Sequence, residues 1–236
     1  MTTSTPTYKR HRCPPEIISH AVWLFCRLSL SYRDAEELLC KRGIMVTYEA
    51  IPEWCCKFGQ SYANQLRRRR PRPGDNWHLD EVVLTIHGRR HDLWRAVDQD
   101  ENVLDILVQR RRNKKAVKTF FKKLLKGLPY VPRVIITDQL KHDAAAKGEV
   151  MPGVEHRQHR SLKNRCEHSH RPTRERARLL QRFKSPGHAQ RLLSASGLIA
   201  QHCRPRRHLL SASAYRQAMS RRFERWAEIP GTERAA

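Results

Sequence analysis

Trp77-His78-Leu79-Asp80-Glu81-Val82-Val83-Leu84-Thr85-Ile86 is the stretch on which the fold turns. Its β-branched and aromatic residues favour an extended chain, in which alternate side chains share a face, so Asp80 falls on one face with Val82, Leu84 and Ile86. An unpaired carboxylate in such company costs several kcal/mol. A bound cation removes that cost, and so does a salt bridge to one of the chain's many arginines.

Two further runs, Leu93 to Asp98 and Val103 to Gln109, repeat the strand-like pattern. The polar stretches His87-Gly88-Arg89-Arg90 and Gln99-Asp100-Glu101-Asn102 separate them, which predicts two hairpins. Asn113 caps a helix carrying Ala116, Val117, Phe120, Phe121, Leu124 and Leu125, and Gly127 ends it. Val134-Ile135-Ile136-Thr137 then forms a short buried strand. An antiparallel meander followed by a helix that returns the chain to a parallel strand opens the RNase H-like fold, so the expected class is α/β, a mixed sheet flanked by helices. From residue 175 onward the pattern is helical and basic, with a loop around Cys203 to Arg207 and a last helix from about Ala214 to Trp226.

Upstream of the decisive stretch the pattern is all helical. Residues 1–13 are polar and basic without periodicity and are expected as a disordered arm. Ile17, Ile18, Ala21, Val22, Leu24 and Phe25 recur at spacings of three and four after Pro14-Pro15-Glu16. Ser31 is an N-cap with Asp34 three residues on, opening a second helix that stops at Gly43; Thr47 can cap a third bearing Ile51, Trp54, Cys55 and Phe58. This small all-α arrangement, residues 14–66, reads as a helix-turn-helix DNA-binding domain, with a purely structural bundle as the alternative. Pro52 lies about five positions into the third helix if Thr47 caps it, which predicts a kink or a late start. Arg67-Arg68-Arg69-Arg70-Pro71-Arg72-Pro73-Gly74 combines charge with helix breakers and marks a linker, residues 67–75. The RNase H-like domain is then expected over residues 76–187 and a C-terminal helical extension over 188–236.

In the 236 residues, 47 Lys and Arg stand against 23 Asp and Glu, a formal net charge of +24, which points to a polyanionic partner and to DNA or RNA first. No apolar run is long enough to span a membrane and the N-terminus lacks a signal peptide's apolar core, so a cytoplasmic, nucleoid-associated protein is expected. Seven cysteines without C-x-x-C spacing read as reduced thiols. Two loose His/Cys sets, around His11 to Cys26 and around His156 to His170, lack the paired spacing of a structural zinc site.

Asp138 directly follows the strand ending at Thr137, where active sites of open α/β sheets gather. Glu167 lies 29 residues further on. In-line attack on a phosphodiester needs a nucleophilic oxygen on one side and a stabilised leaving oxygen on the other. Two Mg²⁺ ions about 3.5–4 Å apart, with Mn²⁺ as a substitute, serve both, and hard carboxylate oxygens suit them. Asp80, on a rigid central strand, is the expected bridging ligand, with Asp138 and Glu167 each on one ion. Candidate DNA contacts are Tyr48, Glu49 and Lys57 at the third helix and Arg67, Arg68, Arg69, Arg70 and Arg72 in the basic run.

The chain resembles the compact bacterial insertion-sequence transposases of the DDE class. The resemblance rests on Pro14-Pro15-Glu16-Ile17-Ile18, Tyr48-Glu49-Ala50-Ile51, Trp77-His78-Leu79-Asp80-Glu81, Leu93-Trp94-Arg95-Ala96-Val97-Asp98, Val134-Ile135-Ile136-Thr137-Asp138 and Arg182-Phe183-Lys184-Ser185. It spans roughly residues 14 to 226 in the family's order. It implies Asp80 and Asp138 as the catalytic aspartates and Glu167, within Asn164-Arg165-Cys166-Glu167-His168-Ser169-His170, as the catalytic glutamate. It also implies an RNase H-like fold, Mg²⁺, DNA strand cleavage and transfer at terminal inverted repeats, target DNA as second substrate, and a homo-oligomer on DNA. Arg174, seven residues after Glu167, matches a basic position of the class. Pro52, Lys163, Gln139 and His168 depart from its usual residues. The alternatives are a catalytically impaired relic or repressor that binds element ends, and an RNase H-like nuclease that cleaves without joining.

Overall fold

The computed structural model describes residues 8–28, 30–70, 72–110, 113–128, 130–137, 147–158, 183–205 and 209–231. The chain divides into two compact units, residues 71–193 and residues 1–70 with 194–236.

In the first of these, β1 (Asn76–Ile86), β2 (Arg89–Asp98) and β3 (Val103–Gln109) form an antiparallel meander. The helix that follows brings the chain back to β4 (Val134–Thr137), parallel to β1, and β5 (Glu155–Gln158) adds parallel to β4. The order β3-β2-β1-β4-β5 is that of the RNase H-like fold expected from the sequence.

The first hairpin is tighter than its polar sequence predicts. Ile86 pairs with Arg89, leaving a two-residue turn in which His87 (φ 50°) and Gly88 (φ 70°) both take left-handed backbone, as a type I′ turn requires. β2 therefore begins at Arg89, four residues before the apolar run, because its first residues pair through the backbone regardless of their polar side chains. At the second turn the fully buried Asp98 carboxylate accepts from the Asp100 and Asn102 amides, each at 2.8 Å, and from Asn102 Nδ2 at 2.9 Å.

Asn113 caps the helix (Lys114–Lys126), its side chain accepting from Ala116 N–H at 3.0 Å. Val117, Phe120, Phe121 and Leu124 of this helix pack in one cluster with Trp77, Leu79, Trp94, Ala96, Leu104 and Ile135. Burying such side chains at roughly 25 cal/mol per Å² supplies most of the unit's stability. The open edge of β3 is covered by Gln190, which accepts from Val108 N–H at 2.7 Å and donates to the Ile106 carbonyl at 3.1 Å.

In the other unit, the first helix runs over Pro15–Leu28 and the second over Tyr32–Cys40. Ser31 and Asp34 form a reciprocal capping box at the start of the second. The third runs over Ala50–Arg69, starting later and ending later than the sequence suggests. Thr47 is not its cap; Glu49 holds that position without a side-chain bond, and Thr47 offers only its carbonyl, to Ala50 N–H. Pro52 thereby becomes the third helical residue, where a missing N–H leaves no intrahelical bond unmade. The connection over 41–49, turning at Gly43 (φ 76°), is longer than the three or four residues of the usual helix-turn-helix joint.

Of the two C-terminal helices, Pro186–His202 leads into this unit and Ala212–Ala227 belongs to it. Tyr62 stands against Trp226 edge to face at 5.6 Å, and Gln65 Nε2 donates to the Ile229 carbonyl at 3.0 Å. Tyr8 stacks on Phe58 at 4.8 Å and shares a 2.8 Å hydroxyl hydrogen bond with Tyr62, so the end of the basic arm is packed. Burial and that bond push the Tyr62 hydroxyl pKa well up.

Candidate active site

The apolar cluster assigns the two faces of β1. Trp77 and Leu79 point towards the capping helix after β3, so His78 and Asp80 point the other way, followed by Val82, Leu84 and Ile86. Beyond Glu81 the strand alternates cleanly, with Val83 and Thr85 exposed between buried neighbours. Asp80 is only 6% exposed at the middle of the central strand.

Directly across from it on β2 stands Arg95, 7% exposed and on the same face. Neither is without an interaction partner. The salt-bridge alternative for Asp80 thus has a specific neighbour, on an adjacent strand and at the same depth.

β4 runs alongside β1 through the pairs Asn76 with Val134, Trp77 with Ile135 and His78 with Ile136. One residue beyond the last pair are Leu79 and Thr137. The next in sequence are Asp80 and Asp138. Asp138 lies outside the described residues, as do Glu167 and Arg174. Thr137 Oγ1 lies 2.9 Å from His156 Nε2 on β5, and burial together with the Lys147 charge lowers the His156 pKa. In the sequence, His156 stands out only as a member of a loose His/Cys set without zinc-site spacing. Its neighbour is not legible there because β5, Glu155-His156-Arg157-Gln158, has no apolar pattern to betray an edge strand.

A buried carboxylate on a central strand offers the hard oxygen that a divalent ion takes, so Asp80 fits the expected donor set. Among the described residues no group of three or more His, Cys, Asp or Glu side chains could hold an ion.

The candidate DNA contacts are distributed along the third helix and its end. Tyr48, 40% exposed, lies 5.5 Å beneath the Arg33 guanidinium, and Glu49 and Lys57 are exposed, with Lys57 Nζ 2.7 Å from His11 Nε2. Arg67, Arg68 and Arg69 occupy the last turn of the helix rather than a linker, and Arg70 ends it. Arg69 pairs with Glu228 at 2.6 Å, an exposed ion pair of small energetic weight. Arg72 lies over the ring of Tyr130 at 4.2 Å.

A family model described as a DDE domain matches residues 74–205, a span that includes Asp80, Asp138 and Glu167. The chain belongs to the DDE transposases of bacterial insertion sequences. It is 28% identical over 161 residues to the transposase of the insertion sequence-like element IS431mec of Staphylococcus aureus, covering 66% of this chain and 71% of that one. The transposase of the insertion sequence IS257 in transposon Tn4003 of Staphylococcus aureus matches at the same identity and coverage. Among solved structures, the HTLV-2 integrase catalytic core domain in complex with magnesium, in its trimeric form, superposes with a TM-score of 0.43 at 15% identity, over 61% of this chain and 93% of that one. As a DDE transposase the protein is a polynucleotidyl transferase that acts on DNA and depends on divalent metal. No helix among the described residues is long and apolar enough to cross a membrane.

Proposed function

We propose that Asp80, Asp138 and Glu167 are the catalytic acids of this transposase and that they hold two Mg²⁺ ions, with Mn²⁺ able to replace them. The observation that carries this reading is the burial of Asp80 on a central strand whose parallel neighbour leads, one residue past its described end, into Asp138. When bound, the two ions lower the cost of generating the attacking oxygen and of charge on the leaving one. Asp80 supplies a hard oxygen ligand from the central strand of the sheet, so its position is set before DNA arrives.

The substrates are the terminal inverted repeats of an insertion sequence and then a target DNA. In the first step a water oxygen forms a bond to the scissile phosphorus, the bond to the 3′ oxygen breaks, and the element end leaves as a 3′ hydroxyl. In the second, that hydroxyl oxygen bonds to a target phosphorus while the target's own 3′ oxygen departs, so the number of phosphodiester bonds is conserved.

The helical unit recognises element ends through Tyr48, Glu49 and Lys57. Arg67, Arg68, Arg69, Arg70, Arg72 and Arg174 hold backbone phosphates. Because two ends must be brought together, the working form is a homo-oligomer on DNA, in the cytoplasm at the nucleoid. The test is strand joining by the purified protein with its own element ends and Mg²⁺ or Mn²⁺. Asp80→Asn, Asp138→Asn and Glu167→Gln are each expected to abolish joining while end binding persists. Joining that survives any of the three removes that residue from the set, and hydrolysed ends without joined product would make the protein a nuclease.

A further inference from the structure

We propose that a cleft at the N-terminal ends of β1 and β4 is a second DNA-contact site, which cradles a backbone phosphate between Arg72 and Arg133. It rests on the reading of the protein as a DNA-handling enzyme but lies apart from the catalytic acids. The cleft has a volume of about 480 Å³, and Arg72, Asp75, Asn76, Gln99 and Arg133 contribute to its lining. Two guanidiniums against one carboxylate leave it net positive, and the amides of Asn76 and Gln99 add neutral hydrogen-bonding groups.

Three segments build the cleft and are tied to each other. The Tyr130 hydroxyl donates to the carbonyls of Pro73 and Gly74, and Trp77 Nε1 donates to the same Gly74 carbonyl at 3.0 Å. Gly74 N–H donates to the buried Asp98, Asn76 N–H to Gln99 Oε1, and Arg133 N–H to the Asp75 carbonyl at 2.9 Å. A Cβ on Gly74 would stand 2.5 Å from Gln99 Cδ, so a larger residue there would require the Gln99 side chain to shift. The Arg72 guanidinium lies 4.2 Å over the Tyr130 ring, a contact that restrains it at the cleft. A preorganised fork of this kind suits the paired oxygens of a phosphate.

A nucleic-acid phosphate is favoured over a free anion because Arg72 continues the run Arg67-Arg68-Arg69-Arg70 in the chain, a length of positive charge that matches a repeating polyanion. Asn76, at the cleft, precedes Asp80 by four residues on β1, or about 13 Å along an extended strand. The phosphate held here is therefore not the scissile one.

The experiment is equilibrium binding of the full chain to a short labelled duplex across a salt series, with thermal melting of each variant as a folding control. Arg133→Ala is expected to weaken binding about five- to tenfold and to flatten the log–log salt slope by about one. Tyr130→Leu, which changes no charge but removes the platform under Arg72, is expected to weaken it about threefold, and Arg72→Lys by a similar factor. Lys122→Ala, an exposed cation on the helix after β3, controls for bulk charge and is expected to change affinity less than twofold. Variants that bind no worse than Lys122→Ala would overturn the proposal, as would displacement of the duplex from the parent by millimolar dAMP, which would mark a free-nucleotide site. Loss of all DNA binding by the parent would instead overturn the transposase reading itself.

Discussion

Trp77 and Leu79 on β1 meet a wholly apolar layer, while His78 and Asp80, one residue along the same strand, face the other side of the sheet with Arg95 opposite. The first face gains free energy from every side chain it buries. The second holds a carboxylate and a guanidinium out of water, an arrangement that well-packed apolar residues would often match or better for stability. A strand that builds a core with one face and carries costly charge on the other shows where folding ends as an explanation and chemistry begins.

The sharpest way to break this contrast is Asp80→Asn. Joining activity is expected to fall by about a thousandfold or more, several kcal/mol of transition-state stabilisation, while the folded state loses no more than the roughly 1–3 kcal/mol of the pairing with Arg95. A variant that melts far lower yet joins DNA per folded molecule as well as the parent would make Asp80 a structural residue. Phe120→Ala should behave in the opposite way, costing about 3–5 kcal/mol in denaturant unfolding through the cavity it leaves in the apolar layer. A cost under about 1 kcal/mol would mean that this face does not hold the unit together.

A double-mutant cycle with Asp80→Asn and Arg95→Met sharpens the polar side. Coupling of about 1–3 kcal/mol is expected for facing buried charges on adjacent strands, and none would mean that each is stabilised elsewhere.

The smallest effect concerns Glu149, which the ammonium groups of Lys114 and Lys118 hold down to a pKa of about 2 from an ordinary 4.5. A carboxylate depressed on folding adds stability that is present above its unfolded pKa and lost as pH falls through the folded one. Glu149→Gln should therefore flatten the stability profile between about pH 4.5 and pH 2 and change little at neutral pH. The group is exposed, so salt should shrink the difference. An unchanged acid limb would show that the clamp contributes nothing in solution.

Much of this architecture is legible in the sequence where burial and periodicity coincide. Val103–Gln109 and Val134–Thr137 are strands with the expected bounds, and the helix from Lys114 to Lys126 has the expected Asn113 cap. The signal fails where backbone pairing acts without apolar side chains. Arg89 to Asp92 joins β2 because a two-residue turn sets the register, and Glu155 to Gln158 joins the sheet as an edge strand with no buried face of its own. The third helix likewise starts at Ala50 rather than after Thr47, a start that spares the bond Pro52 could not make.

For the site, the sequence alone singles out Asp80 as a carboxylate out of place among apolar neighbours, because alternation is a local property of an extended chain. Asp138 stands out by directly following an apolar strand, the resemblance joins it to Glu167 as a catalytic set, and the DDE-domain match shows the family without testing the roles of those residues. Only the tertiary structure could set Arg95 opposite Asp80, His156 against Thr137, and Arg133 beside Arg72 across a cleft. Each of these pairings joins residues on different strands or segments, and register and closure are decided by packing among many residues, which no short stretch of sequence contains.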